Sequence, residues 1–413
     1  MTSLIRIVAT PLRFATTVLV FAMVLVIGGT ITPAQESPDF TVLYSFSSGR
    51  GAASIALLPT SSGVLYGTSA LGGCATCGGV AFKLVLSSSN AVYVLHTFGG
   101  GSDGYMPEAG LVRDSYGNVY GTTLEGGGST VCAGGCGIVF RVNEWGSETV
   151  LHQFAGGSSD GANPRGVLVI DEADNLYGTT LNGGAFGRGT VFMVDKEGTE
   201  TVLYSFTGKE DGGGPYAGLV RDASGNLYGT TVYGGLPGST CTFRGVPGCG
   251  TVFMLDKAGK ETVLYSFAGG PDGANPQATL VMDTEGRLYG TTTFGGAFGS
   301  GTVFMVEGEG RETVLYSFSG ETDGGLPVAG VVRDSAGNLY GTTLQGGSAP
   351  NRSGTVFKVT PSGQETVLHS FTAGEDGGFP QDGGLSEDAA GNLYGTTEIG
   401  GAYGPGVAFR IHP

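Results

Sequence analysis

Six Asp-Gly pairs with a proline four residues after the Asp recur along the chain. Carboxylates repeated in this way could form a ring that binds a polar ligand or a cation, and an all-oxygen ligand set would suit calcium. The competing interpretation is structural, because Asp accepts hydrogen bonds from its own turn and Gly tolerates positive φ. The sixfold recurrence favours the turn, since a repeat copies its structural turns. The carboxylates are those of Asp103, Asp160, Asp211, Asp272, Asp323 and Asp376.

The four histidines offer little to a catalytic mechanism. His96, His152 and His369 occupy a position that holds tyrosine in other repeats, so we interpret them as packing substitutions, and His412 is next to the last residue. On this interpretation no histidine remains as general base, triad member or metal ligand. The sequence therefore favours a protein that is not an enzyme.

Three glycine-rich loops carry an aromatic residue in counterpart positions, namely Phe186, Phe298 and Tyr403. The loop at 183–189 has the glycine content of a phosphate-binding loop, but it joins two predicted strands and so has no helix N-terminus to hold an anion. The aromatic side chains could line a ligand surface or fold down to close their loops. The sequence leaves both alternatives open.

The six cysteines form three local pairs, which in an exported protein predict disulfides within loops. A zinc site would need four ligands that converge from different repeats, and a redox site would need a strand followed by a helix. We therefore predict the pairs Cys74–Cys77, Cys132–Cys136 and Cys241–Cys249.

The elements that position these residues belong to a tandem repeat. Seven tyrosines stand in a Leu/Val-Tyr-Gly-Thr-Thr/Ser motif, 51 to 61 residues apart. One complete unit, at 215–267, predicts strands at 217–222, 226–231, 251–255 and 261–267, because β-branched and aromatic runs alternate with Gly/Asp/Asn turns. Four antiparallel strands in about fifty residues are typical of a propeller blade.

The two ends of the repeat array complete one another. Residues 42–46 match a fourth strand without the first three, and 384–385, 392–397 and 407–411 match a first, second and third strand without the fourth. Pairing these fragments would close the ring and remove exposed strand edges. The sequence thus predicts an all-β, seven-bladed β-propeller, whereas a β-solenoid does not explain the split unit. In such blades the Asp-Gly links and the glycine-rich and Cys-bearing loops share one face.

Residues 1–34 have the features of a secretory signal peptide, with Arg6 and Arg13 before an apolar run and small residues at Thr32-Pro33-Ala34. We expect residues 35–413 to form a single domain that is secreted, in the periplasm or outside the cell, as a monomer. No later segment is long and apolar enough to span a bilayer. The net charge of −16 disfavours nucleic acid and anionic membranes as partners.

The unit Pro-x-Ala-Gly-Leu-Val-x-Asp-x-x-Gly-Asn-Leu-Tyr-Gly-Thr-Thr, followed by Gly-Thr-Val-Phe and Glu-Thr-Val-Leu-Tyr-Ser-Phe, resembles the GloVer tandem repeat of bacterial exported proteins. The resemblance covers nearly all of residues 41–411 and is most evident at 215–267, 327–371 and 380–409. The Gly-Asn-Leu-Tyr strand is more distantly similar to NHL-type propeller repeats. Both resemblances imply a fold, and neither implies a biochemical activity.

Three functions remain open from the sequence. The first is a non-catalytic binding or surface-interaction module for an extracellular glycan or protein, acting through the face with the links and Cys loops. The second is a calcium- or carboxylate-dependent hydrolase or lyase acting on a carbohydrate or lactone. The third is a structural envelope protein. Carboxylates that converge on one cavity would favour the enzyme, and an open face with splayed aromatic side chains would favour binding.

Overall fold

The structure is a computed structural model that describes residues 38–47, 52–54, 56–74, 76–308, 310–381 and 384–413. The predicted signal peptide lies outside the described residues. Apart from one 3-10 turn at Gly101–Asp103, the regular elements of the described chain are β-strands. No helix in this part of the chain is long and apolar enough to cross a membrane.

The strands form seven antiparallel sheets of four or five strands, numbered here as blades in chain order, and one separate two-stranded hairpin. Blade 1 contains Ala52–Ser54, Leu58–Pro59, Val64–Leu71, Val80–Val85 and Ala91–Thr97. Blade 2 contains Val112–Arg113, Val119–Thr123, Ile138–Val142 and Glu148–Gln153. Blade 3 contains Gly161–Pro164, Val169–Ile170, Leu176–Gly183, Thr190–Val194 and Glu200–Ser205. Blade 4 contains Val220–Arg221, Leu227–Thr231, Thr251–Leu255 and Glu261–Ser266, with a small hairpin at Thr242–Phe243 and Val246–Pro247. Blade 5 contains Val281–Met282, Leu288–Thr292, Thr302–Val306 and Glu312–Ser317. Blade 6 contains Val332–Arg333, Leu339–Thr343, Thr355–Val359 and Glu365–Ser370. Blade 7 contains Ser386–Glu387, Leu393–Thr396, Val407–His412 and Asp39–Ser45.

Blade 7 is assembled from both ends of the repeat array. Asp39–Ser45 pairs antiparallel with Val407–His412, in a register that runs from Asp39 opposite His412 to Ser45 opposite Val407. The prediction of a seven-bladed propeller closed in this way is confirmed.

The core lies between the blades. The phenylalanine that follows each fourth strand packs against the third-strand phenylalanine of the next blade, with ring centroids 4.9–5.5 Å apart. Both rings of each pair are fully buried, which places the largest apolar area where two blades meet. The pairs are Phe46–Phe82, Phe98–Phe140, Phe154–Phe192, Phe206–Phe253, Phe267–Phe304, Phe318–Phe357 and Phe371–Phe409.

The glycine of the Tyr-Gly-Thr motif makes room for this phenylalanine. Gly229 lies opposite Phe253 across the sheet. A Cβ atom at Gly229 would lie 2.8 Å from Phe253 Cζ and 3.0 Å from Leu219 Cδ2. The third-strand ring therefore covers a position where only hydrogen fits, and the same close approach is found at the counterpart glycine of every blade.

We expect Gly229→Ala to lower the free energy of unfolding by about 1–3 kcal/mol, because the added methyl group overpacks a filled core. Urea unfolding, monitored by far-ultraviolet circular dichroism, measures this loss of stability. Gly308→Ala is the matched control, since a Cβ atom there meets no atom within 4 Å. Equal losses in the two variants would contradict the packing explanation.

The tyrosine of the same motif fixes the turn on the opposite face. In blade 2 the Tyr120 hydroxyl donates a 3.0 Å hydrogen bond to Asp114, which also accepts bonds from the backbone amide and side-chain amide of Asn118. Burial by itself raises the pKa of Asp114, but these hydrogen bonds outweigh it and lower the pKa below its ordinary value. Blades 3 to 7 repeat the Tyr–Asp hydrogen bond.

Candidate binding face

The links between blades and the loops after the second strands lie on one face, as predicted. Link residues pair through their backbones with the start of these loops, for example Tyr105 with Glu125, Gly213 with Tyr233 and Ala274 with Phe294. We call this side of the propeller the loop face. The short turns within each blade, including Tyr116 and Trp145, lie on the opposite side.

The three loop aromatics are presented on tight turns of the sequence Gly-Gly-Ala-(Phe/Tyr)-Gly. In blade 3 the turn is closed by a 3.0 Å hydrogen bond from the Gly187 amide to the Gly184 carbonyl, and the Ala185 amide donates to the Ser205 hydroxyl of the fourth strand. The same serine contact supports the turns of blades 5 and 7. The aromatic side chains do not fold down, because Phe186, Phe298 and Tyr403 remain 59%, 65% and 71% exposed.

The loops of blades 1, 2 and 4 are closed by disulfides instead. The predicted pairs Cys74–Cys77, Cys132–Cys136 and Cys241–Cys249 are all formed, and no cysteine is free in the described chain. Two of these loops also expose an apolar side chain, Val131 in blade 2 and Leu236 in blade 4. Leu71, directly before the loop of blade 1, is 47% exposed as well, so the loop face carries exposed aromatic or aliphatic residues in six blades.

A cavity of about 340 Å³ lies on the propeller axis, and every blade contributes to its wall the segment at or directly before the short strand that pairs with the Tyr-Gly-Thr strand. Small residues let the seven segments approach the axis closely. A Cβ atom at Gly166, for example, would lie 2.4 Å from the Ala217 carbonyl carbon of the next blade. The wall positions with small residues are Ala56, Gly110, Gly166, Gly218, Thr279, Gly330 and Gly384.

The end of the cavity nearest the links is polar and differs from blade to blade. Glu108 and Arg165 form an ion pair of 2.7 Å. The Arg165 guanidinium lies 4.3 Å from the centroid of the Tyr216 ring, close enough for a cation–π contact. Gln277 donates a 2.9 Å hydrogen bond to the Thr293 hydroxyl. An asymmetric polar group therefore stands at the centre of the loop face.

Our sequence reasoning missed these residues, although a signal was present. Each follows the proline of its link directly, and this position holds Glu, Arg, Tyr, Gln and Val in blades 2 to 6 while its neighbours are nearly constant. When one position varies while the rest of the repeat is nearly constant, the fold does not require a particular residue at that position. The residues are Glu108, Arg165, Tyr216, Gln277 and Val328.

The Asp-Gly carboxylates do not line the axial cavity. Each accepts a backbone hydrogen bond within its own link, as Asp211 does from the Thr207 amide at 2.7 Å. Each also contacts the tyrosine or histidine of the outermost strand, as in the 3.1 Å bond from the Tyr204 hydroxyl. Turn formation thus accounts for the local geometry of these residues, and their binding of a cation or ligand stays a prediction.

Five of these aspartates each lie near a glutamate from the next blade. The sequence did not indicate this proximity. We call each meeting of two neighbouring fourth strands a junction. At junctions 2–3 to 5–6, burial and then the nearby aspartate raise the pKa of the glutamate from 4.5 to about 7. One carboxyl oxygen of each glutamate is buried without a hydrogen-bond partner. The five residues are Glu148, Glu200, Glu261, Glu312 and Glu365.

Comparison with known proteins agrees with this architecture. The Gloeobacter/Verrucomicrobia repeat family matches at residues 129–247 and 238–413, which is more than half of the chain. The chain therefore belongs to this family of repeat proteins, as its motifs indicated. No curated protein sequence matches it.

Solved structures with a similar fold include a lyase and domains of two other proteins. A catalytically inactive variant of virginiamycin B lyase from Staphylococcus aureus, with quinupristin, is 11% identical with a TM-score of 0.58, over 91% of this chain and all of that one. The extracellular domain of a one component system from B. thetaiotaomicron is 11% identical with a TM-score of 0.54, over 90% of this chain and 39% of that one. The WD40 β-propeller domain of Doa1 is 10% identical with a TM-score of 0.53, over 90% and 96%. At these identities the likeness concerns the fold alone.

Proposed function

We propose that the protein is an exported, non-catalytic binding module whose loop face recognises a neutral polysaccharide. The observation that carries the proposal is the set of three exposed aromatic rings on identical, hydrogen-bonded turns in blades 3, 5 and 7. Exposed aromatic rings offer flat apolar surfaces on which the apolar faces of sugar rings stack. Rings that are held by a rigid turn lose little side-chain freedom when a ligand binds.

The charge of the protein supports a neutral ligand. A net charge of −16 repels acidic polymers. The centre of the loop face provides hydrogen-bonding groups, with Glu108, Arg165 and Gln277 at the end of the axial cavity. Hydroxyl-rich chains can exchange hydrogen bonds with such groups, whereas a purely apolar ligand cannot.

The enzymatic alternative requires carboxylates that converge on one cavity. Among the described residues that line the axial cavity, Glu108 is the one acidic residue, and it is paired with Arg165. This arrangement supports binding at the axial cavity rather than glycoside hydrolysis there, which commonly uses a pair of carboxylates.

We expect the triple variant Phe186→Ala, Phe298→Ala, Tyr403→Ala to bind its polysaccharide about 100-fold more weakly, at about 1 kcal/mol for each ring. Affinity electrophoresis in gels with neutral polysaccharides selects the ligand, and calorimetry measures the dissociation constant. The matched control is Tyr116→Ala, Trp145→Ala, which removes aromatics that are 80% and 84% exposed on the opposite face.

Three outcomes would overturn this proposal. The first is a loss of binding in the control variant that equals the loss in the triple variant. The second is that the protein binds no polysaccharide but binds a purified surface protein, and that this binding is lost in the triple variant. The third is release of new reducing ends from a bound polysaccharide, which would make the protein a hydrolase.

A further inference from the structure

We propose that junctions 1–2 and 2–3 each bind one zinc ion between neighbouring blades, through a histidine, an aspartate and a glutamate. In both junctions the three potential ligand atoms lie within 4.8 Å of one another. The first set is His96, Asp103 and Glu148, and the second is His152, Asp160 and Glu200.

The histidine and aspartate atoms are already close to the separation that zinc requires. The distance from His152 Nε2 to Asp160 Oδ2 is 3.3 Å, and that from His96 Nε2 to Asp103 Oδ1 is 2.8 Å. Ligands about 2.0–2.2 Å from a tetrahedral zinc ion are about 3.3 Å apart. The His–Asp pair of junction 2–3 therefore has the required separation, and that of junction 1–2 needs to open by about 0.5 Å. The glutamate oxygen of each junction lies within 4.8 Å of both atoms and would move toward the ion on binding.

Surrounding groups orient the carboxylates toward this position. The Ala155 amide donates to Asp160 Oδ2 at 2.6 Å and the Gly161 amide donates to Oδ1 at 2.6 Å. Such contacts to a ligand carboxylate are typical of metal sites. Glu148 and Glu200 each have one buried oxygen without a hydrogen-bond partner, so the third ligand has an unused acceptor that a cation would satisfy.

The other junctions show why only two sites are expected. At junctions 3–4 to 5–6 a tyrosine replaces the histidine, and its hydroxyl donates to the aspartate. At junction 6–7 His369 does contact Asp376, at 3.0 Å, but Phe40 takes the place of the glutamate and stacks on the imidazole with centroids 3.8 Å apart. One nitrogen and two carboxylate ligands suit zinc, whereas calcium prefers oxygen ligands only.

The histidines therefore have two roles. Their rings pack against the following phenylalanine, with centroids 4.9 Å apart for His96–Phe98 and 4.8 Å for His152–Phe154, so the packing interpretation holds. The same rings place Nε2 beside two carboxylates from different strands. A zinc ion at this position would bridge the fourth strands of consecutive blades.

The test is zinc stoichiometry, measured on the purified protein by native mass spectrometry and calorimetry after removal of metals with EDTA. We expect the unmodified protein to bind two zinc ions for each chain. The single variants His96→Tyr and His152→Tyr should each bind one, and the double variant should bind none. Tyrosine is the residue that this chain uses at the same position in blades 3 to 5, so the variants should fold. Circular dichroism checks that they do.

A gain of binding provides the complementary arm. Phe40→Glu adds the missing ligand beside His369 and Asp376, and we expect a third zinc ion in this variant. His412→Ala, which removes the histidine outside the junctions, should still bind two ions. The proposal is overturned if the double variant retains both ions, if no zinc binds at 100-fold molar excess, or if calcium binds with the same stoichiometry in place of zinc.

Discussion

A chain that begins at residue 48 will not give a cooperative unfolding transition, whereas a chain that begins at residue 37 will unfold in one sharp step. The difference is the strand Asp39–Ser45 and the phenylalanine that follows it. This strand is the fourth strand of blade 7 and pairs with Val407–His412 along its whole length. Without it, the ring opens and both blade 7 and blade 1 lose a neighbour.

The expected effect is large because residues 39–46 carry one fully buried aromatic residue, Phe46, and one partly buried one, Phe40. Phe46 is fully buried and packs 5.5 Å from the Phe82 ring of blade 1. Phe40 stacks on His369 of blade 6 and lies 5.3 Å from Phe409. Loss of one buried phenylalanine costs about 3–5 kcal/mol, and a whole domain is stable by only about 5–15 kcal/mol.

Differential scanning calorimetry of the two chains measures this effect. A synthetic peptide of residues 38–47 should restore the transition of the shorter chain, because it supplies the missing strand to an open edge. A peptide with Phe40→Ser and Phe46→Ser is the control and should not restore it. A shorter chain that unfolds with the same midpoint as the longer one would show that ring closure contributes little stability.

The free energy of unfolding should fall as pH rises through neutrality. The pKa values of Glu261, Glu312 and Glu365 are raised by burial, and next by the neighbouring aspartate, from 4.5 to about 7. The folded protein therefore binds more protons than the unfolded chain between about pH 4.5 and 7. This contribution is fully present below pH 4.5 and is lost as the pH rises through 7.

Each glutamate alone would contribute up to about 1.4 kcal/mol for each pH unit, but these side chains are only partly buried and solvent screens them. We expect a total loss of roughly 3 kcal/mol between pH 5 and 7.5. Urea unfolding across this range, with EDTA present, measures the slope.

Replacement of the three glutamates by glutamine should remove most of this slope and make the protein more stable above pH 7, because glutamine stays neutral. The matched control replaces the exposed residues Glu172, Glu197 and Glu285, whose side chains are 90%, 65% and 64% exposed. An unchanged slope in the junction variant would mean that other groups cause the pH dependence.

Much of the fold could be predicted from local patterns. Seven copies of the Tyr-Gly-Thr strand, the turn residues between strands and the split unit at the ends specified blades, their number and the closure through Asp39–Ser45. The cysteine pairs were also predictable, because their partners are three to eight residues apart. In each case the interacting residues are neighbours in the chain or counterparts in the repeat.

The site residues were less accessible because their partners come from different blades. The sequence identified the aspartates of the links, but the placement of Glu148 beside His96 and Asp103 depends on how one fourth strand meets the next. Whether Phe186 points to solvent also depended on the fold of its turn.

The sequence by itself determined the repeat, the strands, the ring and its disulfides, since these follow from periodicity and from contacts over short distances along the chain. Only the tertiary structure decided what the ring brings together. The segments that lead into the first strands converge on the axis and assemble Glu108, Arg165 and Tyr216. The fourth strands meet at the junctions and place carboxyl groups of adjacent blades side by side, because packing of consecutive blades sets residues about fifty positions apart in contact.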